Sequence, residues 1–489
     1  MIGTLASRVT GLLRNSLFVQ LFSVEITDAF NIAVKVPTLF RELLAEGALI
    51  NSFVPAYKVL PPAEAKRLSS ALLSLLVVLN GVLLLLAVRA APWVVNLLVS
   101  DPSKINVPLT ITLIRVVFPF LGAISFSALA MGILNAEERF FAPAWAPVIL
   151  NVVTAALMLL YPNQALMLAV AFVLGGVAQL LFQLPPLFRA GLLPQFGVWW
   201  HPGLRGVLLL MVPFTFTTGA RQILSLISSR LLTAMPVGSV TAFGNADLFL
   251  SLALGLFSIS PALAFYSRLA GQTSSPTDFR ATLLAGLRLI TFLSVPAGLL
   301  LTLYAGPAVV SVLNWLPLLG RSGMNPQVLS LSVAALVPLG LAVFPVGLSN
   351  LLIRTFYVRR RVWTPVVVSA LFTGLSAFLY RALAPRYGVA GLSWGTVVAG
   401  WLQLGVLLYL VGKRERLEFR SLLTQISRIW LAALLAVGLA WVLLGALPLP
   451  AGWWGAVLSV SLGGSFSALL YLAFCIRFGV AEVARFRRA

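Results

Sequence analysis

Apolar stretches of helix length recur along the whole chain, and short polar connections separate them. A helix needs about 20 mainly apolar residues to cross the hydrocarbon core of a bilayer. The pattern predicts an all-α polytopic membrane protein with fourteen transmembrane helices, an even number that places both termini on one side. The predicted spans are residues 3–23, 29–57, 69–98, 108–134, 141–161, 164–186, 204–234, 240–267, 281–305, 328–356, 362–383, 389–411, 424–446 and 453–476.

Basic residues are divided unevenly between the two sets of connections. The chain has 34 Lys and Arg against 13 Asp and Glu, a formal net charge of +21. One set of alternate connections and the C-terminal tail hold most of these bases; the opposite set holds little more than Lys104, Arg321, Arg381 and Arg386. Short cytoplasmic loops are the ones enriched in Lys and Arg. The bias predicts cytoplasmic N- and C-termini and contact with anionic membrane lipids, and it gives no indication of nucleic-acid binding.

Two halves of the chain share a weak internal repeat. The pairs matched at one common offset are Leu168 and Leu392, Ala171 and Gly395, Gly176 and Gly400, Gln179 and Gln403, and Leu180 and Leu404. Residues 139–143 are echoed by 361–365, each a basic turn before a helix. Ordinary small-residue packing would account for the glycines alone. The shared offset favours duplication into two pseudo-symmetric six-helix lobes plus two extra C-terminal helices.

This repeat sets the predicted domain organisation. Residues 1–186 form an N-terminal lobe of helices one to six, and residues 204–412 form a C-terminal lobe of helices seven to twelve. Residues 187–203 form an interfacial cytoplasmic linker, and residues 413–489 hold helices thirteen and fourteen and a basic tail. His201 in the linker is expected to be a hydrated interfacial residue, with proton coupling as the alternative.

The first two predicted helices carry charges that lipid-facing helices could not hold. A charge at the bilayer centre costs about 2.5–3.5 kcal/mol even on a lenient scale, so these groups must face a wet cavity or one another. We expect a substrate or gating role for the three arginines, because guanidinium groups stay charged and bind phosphate oxygens bidentately. The arginines are Arg8, Arg14 and Arg41.

The other charges of the second helix are assigned to gating or to charge pairing. Asp28, Lys35, Glu42 and Glu46 fall near one stripe if the helix is straight, although Pro37 is expected to kink it. Lys35 could equally be a structural partner of Asp28.

In the second half of the chain, Arg221 follows a Thr- and Gly-rich run, which predicts a polar face on a cavity, and Asp247 lies on helix eight. An arginine-dominated cavity favours an anionic substrate with a long apolar part.

The sequence contains no pattern typical of an enzyme. It has no GxxxxGK[ST] loop for ATP and no GxSxG elbow. A single histidine and a single cysteine, Cys475, leave no His/Cys metal cluster. We therefore predict a transporter without catalytic residues, metal or cofactor. Its coupling would come from the membrane potential or a monovalent cation.

Several motifs together resemble a known family. The residues that carry the resemblance are Ser7, Arg8, Gly11 and Arg14, then Thr27 to Phe30, Lys35 to Pro37, Arg41 with Ala45 to Ala48, Phe53 to Pro55, Phe118, Pro119, Leu134 to Ala136, Arg139, Phe140, Ala146, Pro147, Asn151, Gly175, Gly176, Gln179 and Gln183 to Pro185. They are similar to the signature of the MurJ (MviN) lipid II flippases. The similarity is strong in the first half and looser after residue 205.

The resemblance implies a bilobal fold of the multidrug/oligosaccharide-lipid/polysaccharide exporter superfamily. It implies a bacterial cytoplasmic (inner) membrane protein that flips the anionic undecaprenyl-pyrophosphate-linked peptidoglycan precursor outward, alongside the cell-wall synthesis machinery. By motif position, the substrate-binding arginines correspond to Arg8, Arg14 and Arg41, with Asp28 and Glu46 as signature acids. The last two helices would form a groove for the lipid tail.

The sequence departs from the family pattern at three places. Asn15 stands where the family usually has an acid, and we retain it as a substrate-binding residue. Leu248 stands after Asp247 where the family has an arginine, and Arg221 is the candidate replacement. The carboxylates of the sodium site known in some members are missing.

Three other functions remain alternatives. The serious rival is a flippase for another polyprenyl-pyrophosphate-linked glycan, which would need the same pyrophosphate clamp. A multidrug exporter and a non-transporting membrane scaffold are less favoured.

Overall fold

The computed structural model describes residues 2–42, 48–361 and 363–482, and all their regular structure is helical. This confirms the prediction of an all-α protein. The helices are α1 Ile2–Leu21, α2 Val24–Ala33, α3 Lys35–Phe40, α4 Ala48–Lys58, α5 Pro62–Leu98, α6 Val107–Val117, α7 Pro119–Ala136, α8 Phe141–Leu160, α9 Ala165–Arg189, α10 Pro202–Leu232, α11 Ser239–Leu254, α12 Ser260–Ala270, α13 Pro276–Leu303, α14 Ala305–Leu313, α15 Pro326–Gly340, α16 Val343–Val358, α17 Trp363–Tyr387, α18 Val389–Glu415, α19 Phe419–Gly445 and α20 Trp453–Arg477.

Ten helical stretches among the described residues are long and apolar enough to cross a membrane. Two of them are composite: α6 with α7, and α11 with α12 through the π-helical turn Gly255–Ile259. The pair α15 and α16, bent by 50°, adds an eleventh if it forms one span. The chain is therefore a polytopic membrane protein. The predicted count of fourteen is not reached by this measure and stays a prediction, because α1, α2 to α4 and α10 are not among the ten.

Prolines divide several stretches that were predicted as single helices. A proline has no N–H to donate to the carbonyl four residues earlier. Pro37 leaves the Ala33 carbonyl without its helical partner, and α2 ends at Ala33. Pro345 does the same to Leu341, where α15 and α16 bend. The predicted disruption by Pro37 is present, and it falls one turn before the proline.

The helices are grouped into two compact units. Unit 1 contains residues 1–241 and 322–325, and unit 2 contains residues 242–321 and 326–489. These units follow the packing of the helices, whereas the predicted boundaries at 186, 203 and 412 follow the sequence repeat. Those boundaries stay a prediction.

In unit 1, α8 packs on both α1 and α9, and α7 packs on α9. Two adjacent glycines of α9 permit this close approach. A Cβ at Gly175 would lie 2.3 Å from Thr154 Oγ1, and a Cβ at Gly176 would lie 2.9 Å from Phe120 Cδ2. Any side chain at either position would force α9 away from its neighbours. These helices therefore form the closely packed group on which α1 lies.

Unit 2 is centred on α13, which packs on α12, α15, α16 and α19. Its buried residues Phe279, Leu283, Leu287 and Ile290 recur at helical spacing and form one face of the core. α19 packs on α13 and α20, and α20 also packs on α14. Within unit 2, the last two helices thus pack against α13 and α14.

The two echoed segments of the repeat have the same backbone structure. The Arg139 N–H donates to the Leu134 carbonyl at 2.8 Å after α7, and the Arg361 N–H donates to the Phe356 carbonyl at 2.9 Å after α16. The residue before each arginine has a left-handed φ, 59° after α7 and 54° after α16. This is a Schellman cap built without the usual glycine. The same type of cap also follows α18, where the Leu417 N–H donates to the Gly412 carbonyl at 3.0 Å, so the cap does not by itself distinguish the repeat.

Candidate functional site

The site begins with α1, which is fixed on α8 by one polar side chain. Asn151 Nδ2 donates to the Ser7 carbonyl at 3.1 Å and to Thr10 Oγ1 at 3.2 Å. Gly11 faces the same amide, 3.4 Å from the position of a Cβ. These contacts tie α1, the helix that carries Arg8 and Arg14, to α8.

Arg14 is half-buried in the helical bundle of unit 1. Its guanidinium lies over the Phe172 ring of α9, 5.0 Å from the ring centroid. No carboxylate of the described residues forms an ion pair with it. The ring face offers the cation a modest attraction of about 0.5–2 kcal/mol, which leaves the hydrogen-bonding edge of the guanidinium available to an anion. Arg8 lies on the same helix and is also half-buried.

Arg41 follows α3 directly and lies within electrostatic reach of Arg14. The structure therefore brings together two of the three arginines that the sequence assigned to substrate binding. Two like charges placed close together in an apolar bundle repel each other, and an anion bound between them would relieve that repulsion. Asn15, adjacent to Arg14, is half-buried on α1.

Asp28 is held by the backbone at the start of another helix. Its side chain is 2% exposed. The Gly238 N–H donates to Oδ2 at 2.6 Å, and both the N–H and the hydroxyl of Thr241 donate to Oδ1, at 2.9 Å and 2.6 Å. Free N–H groups at a helix start favour a negative charge. The carboxylate thus acts as an N-terminal cap supplied from a distant part of the chain.

Three further contacts continue from Asp28 along the same segment. Asn31 Nδ2 donates to Thr241 Oγ1 at 3.0 Å, and Lys35 Nζ donates to Ser225 Oγ at 3.1 Å. Gln222 Nε2 donates to Glu42 Oε2. We call this series of contacts between residues 28–42 and 222–241 the polar seam. Asp28 and Lys35 bind different partners within it, so the alternative in which Lys35 pairs with Asp28 is not the arrangement observed.

The remaining predicted site residues are placed as follows. Arg221 lies within α10 beside Gln222, and only its backbone is described. Glu46 lies outside the described residues. Asp247 is in unit 2, exposed on α11 and within electrostatic reach of Tyr380 on α17. No group of three or more His, Cys, Asp or Glu side chains that could hold a metal ion occurs in the described part of the chain.

His201 is buried, so the expectation of a hydrated interfacial residue was wrong. Its side chain is 7% exposed, and Nδ1 accepts a hydrogen bond from the Gly203 N–H at 3.0 Å. Nε2 lies 3.0 Å from Glu64 Oε2, so Nε2 carries the proton. The ring caps α10 and ties it to the first turn of α5, which is why it leaves the solvent. The neighbouring Trp199 and Trp200 are exposed.

The sequence did not reveal the partners within the polar seam. Gly238 and Thr241 contribute backbone N–H groups, which carry no signal in a residue pattern, and Thr241 adds its hydroxyl. Gln222 and Ser225 are polar residues inside a mainly apolar helix, and their spacing of three residues places them on one face. That spacing is the sign in the sequence of a partner for Lys35 and Glu42.

Comparison with known proteins identifies the family of the chain. The family described as "Lipid II flippase MurJ" matches residues 19–482. The lipid II flippase MurJ of Burkholderia cenocepacia is 31% identical over 434 residues, which cover 84% of this chain and 82% of that protein.

Solved structures show the same fold at lower identity. A lipid II flippase MurJ in an inward closed conformation superimposes with a TM-score of 0.80 at 19% identity, covering 97% of this chain and 98% of that one. An inward-facing multidrug resistance transporter of the MATE family has a TM-score of 0.73 at 16% identity, covering 84% and 94%. The family match extends over nearly the whole chain and includes Asp28, Lys35 and Arg41. The chain belongs to the lipid II flippase MurJ family.

Proposed function

We propose that this protein moves lipid II, the undecaprenyl-pyrophosphate-linked peptidoglycan precursor, from the inner to the outer leaflet of a bacterial cytoplasmic membrane. It acts by alternating access through a cationic cavity, as a transporter without catalytic residues. Both termini lie in the cytoplasm. Membership of the flippase family and the arginines of unit 1 support this proposal.

The observation that carries the proposal is the proximity of Arg14 and Arg41. Like charges repel each other, and an anion bound between Arg14 and Arg41 would reduce that repulsion. A pyrophosphate has enough acceptor oxygens to engage several guanidinium groups bidentately. Arg8, Arg14 and Arg41, assisted by Arg221 and Asn15, therefore form a clamp for the pyrophosphate.

The polar seam supports a gating role for its charged residues. Asp28 and Lys35 connect residues 28–42 to residues 222–241 through hydrogen bonds that can be broken and remade without covalent change. We assign Glu46 and Asp247 to the same gating and charge-pairing group. Transport is coupled to the membrane potential or to a monovalent cation, without a bound cofactor. The protein works alongside the cell-wall synthesis machinery, from which it receives its substrate.

The fold shared with MATE transporters does not favour a drug substrate. Similarity at 16% identity concerns the architecture alone. A site dominated by arginine repels cationic drugs and attracts a phosphorylated lipid. The exposed leucines of α19 and α20 are suited to the long prenyl tail of such a lipid.

Equilibrium binding to purified variants tests the clamp. Removing one partner of a desolvated charge pair costs about 2–5 kcal/mol, so Arg14→Ala and Arg41→Ala should each weaken lipid II binding by more than tenfold. Arg14→Lys keeps the charge and loses the planar fork, so we expect an intermediate loss. Arg89→Ala, which removes an exposed arginine of α5, is the matched control and should bind as the wild type does.

The same assay separates the proposal from its rival. A wild-type protein that binds a different polyprenyl-pyrophosphate glycan more tightly than lipid II would reassign the substrate and keep the clamp. Unchanged lipid II affinity in both alanine variants would show that the arginines are structural.

A further inference from the structure

Unit 2 contains a basic pocket that the proposed transport function does not use. Its volume is about 420 Å³, within the range of about 300–1,000 Å³ that ligand sites occupy. It lies where α16 and α18 end and α13 begins. Four of its lining residues are arginines and one is a glutamate; they are Arg280, Arg359, Arg361, Arg414 and Glu415.

One arginine is neutralised and fixed in place. Arg359 Nε donates to Glu415 Oε1 at 3.0 Å, and Nη2 donates to Oε2 at 2.6 Å, a bidentate ion pair. Its guanidinium also lies over the Phe279 ring, 3.9 Å from the centroid, and Nη1 donates to the Thr273 carbonyl at 3.3 Å. This arginine is therefore part of the wall of the pocket. Both oxygens of Glu415, the single carboxylate of the lining, accept hydrogen bonds from Arg359.

The other three arginines retain an unbalanced charge. No carboxylate of the described residues forms an ion pair with Arg280, Arg361 or Arg414. Arg280 Nε is buried and lacks a hydrogen-bond partner among the described residues. A buried donor that stays unsatisfied costs about 1–3 kcal/mol. A ligand that accepts hydrogen bonds and carries negative charge would remove both penalties.

The local backbone directs these charges toward one place. The Schellman cap after α16 turns the chain back at Arg361. Pro276, in the first turn of α13, also lines the pocket. The start of this 28-residue helix adds a partial positive charge beside the arginines. The positive-inside bias requires only that cytoplasmic loops contain many basic residues. It does not require that their arginines surround one pocket.

The position along the chain sets the level of the pocket in the membrane. α18 belongs to a stretch that can cross the bilayer, α16 belongs to the bent pair that passes the same test together with α15, and the pocket is at the C-terminal ends of both helices. Trp363, which begins α17 two residues after Arg361, is 75% exposed. Exposed tryptophans at helix ends are typical of the headgroup level. The pocket is thus placed where lipid phosphates are.

We propose that this pocket binds a phosphate group, either the phosphodiester of an anionic membrane lipid or a free phosphate ion. Arg280, Arg361 and Arg414 provide the hydrogen bonds, and the Arg359–Glu415 pair holds the wall. The inference is independent of the transport function, because none of these residues belongs to α1 or to the polar seam.

Lipid retention by the full-length protein tests the inference. Protein in mixed phosphatidylcholine and phosphatidylglycerol nanodiscs is released into detergent, and retained lipid is counted by native mass spectrometry. The wild type should retain phosphatidylglycerol. The double variant Arg280→Gln/Arg414→Gln should retain at least tenfold less of this lipid. The single variant Arg414→Gln, at an exposed position, should show a smaller loss and covers a failure of the double variant to fold. Arg268→Gln, an exposed arginine of α12 outside the pocket, is the matched control.

A second arm uses inorganic phosphate in equilibrium dialysis with the same variants. Phosphate binding that the double substitution abolishes, without selective lipid retention, would assign the site to the free ion. Selective lipid retention that only the pocket variants lose would assign it to the lipid. Equal retention of both ligands by the wild type and the double variant, or an equal loss in Arg268→Gln, would overturn the inference.

Discussion

Replacing Asp28 tests whether the polar seam holds its segments together. Asp28→Ala removes the acceptor of three hydrogen bonds from a side chain that is 2% exposed. The Thr241 hydroxyl can turn to another acceptor, but the N–H groups of Gly238 and Thr241 cannot.

The expected magnitude follows from these two backbone donors. Each unsatisfied donor costs about 1–3 kcal/mol, so we expect a loss of about 3 kcal/mol in the free energy of local opening. Since 1.4 kcal/mol corresponds to a factor of about ten, the amides of Gly238 and Thr241 should exchange with deuterium about a hundredfold faster. Asp28→Asn keeps one acceptor oxygen and should accelerate exchange by about tenfold.

Hydrogen exchange of the purified protein, followed by mass spectrometry, measures this effect peptide by peptide. Asp101→Asn is the matched control, because Asp101 lies in the loop after α5 and its carboxylate accepts local hydrogen bonds from the hydroxyl and N–H of Ser103. Those bonds, with Lys104 nearby, hold the pKa of Asp101 below its ordinary value. The control should leave exchange at residues 238–241 unchanged. Equal exchange there in the wild type and in Asp28→Ala would refute the seam as a stabilising element.

Two more predictions concern the membrane arrangement. In a Cys475→Ser background, single cysteines at Ser274 and Leu319 should label from opposite sides, because α13 lies between them; labelling from one side would contradict the span of α13. Photo-crosslinkers at the exposed Leu435 of α19 and Leu469 of α20 should capture a tail-labelled lipid substrate, and capture confined to α5 to α9 would contradict the tail groove.

The fold could be predicted best where the chain is most apolar. The predicted spans 164–186, 389–411 and 453–476 begin within one residue of α9, α18 and α20. These stretches have no internal charge and a clear polar boundary, so hydrophobicity alone determines their limits. The predicted span 29–57 is instead divided into α2, α3 and α4. There, Pro37 and the charged residues disfavour a continuous helix. A hydropathy pattern distinguishes only apolar from polar positions, so it does not show this effect.

The site could be predicted only in part. Permanently charged side chains in apolar helices pointed to Arg14 and Arg41, and the structure places these two within electrostatic reach. Their partners could not be found in this way. Asp28 binds backbone N–H groups more than 200 positions away. His201 is buried where its ring forms hydrogen bonds with Glu64 and with the Gly203 N–H. Such contacts depend on tertiary packing, which a residue pattern does not contain.

The central claim is that Arg14 and Arg41 hold an anionic lipid-linked substrate during its passage across the membrane. The most direct test is the appearance of lipid II in the opposite leaflet of proteoliposomes that contain the purified protein. The wild type and Arg89→Ala should translocate lipid II at the same rate, while Arg14→Ala and Arg41→Ala, correctly inserted, should be reduced to the rate of protein-free vesicles. Translocation at the wild-type rate by either alanine variant would contradict the claim.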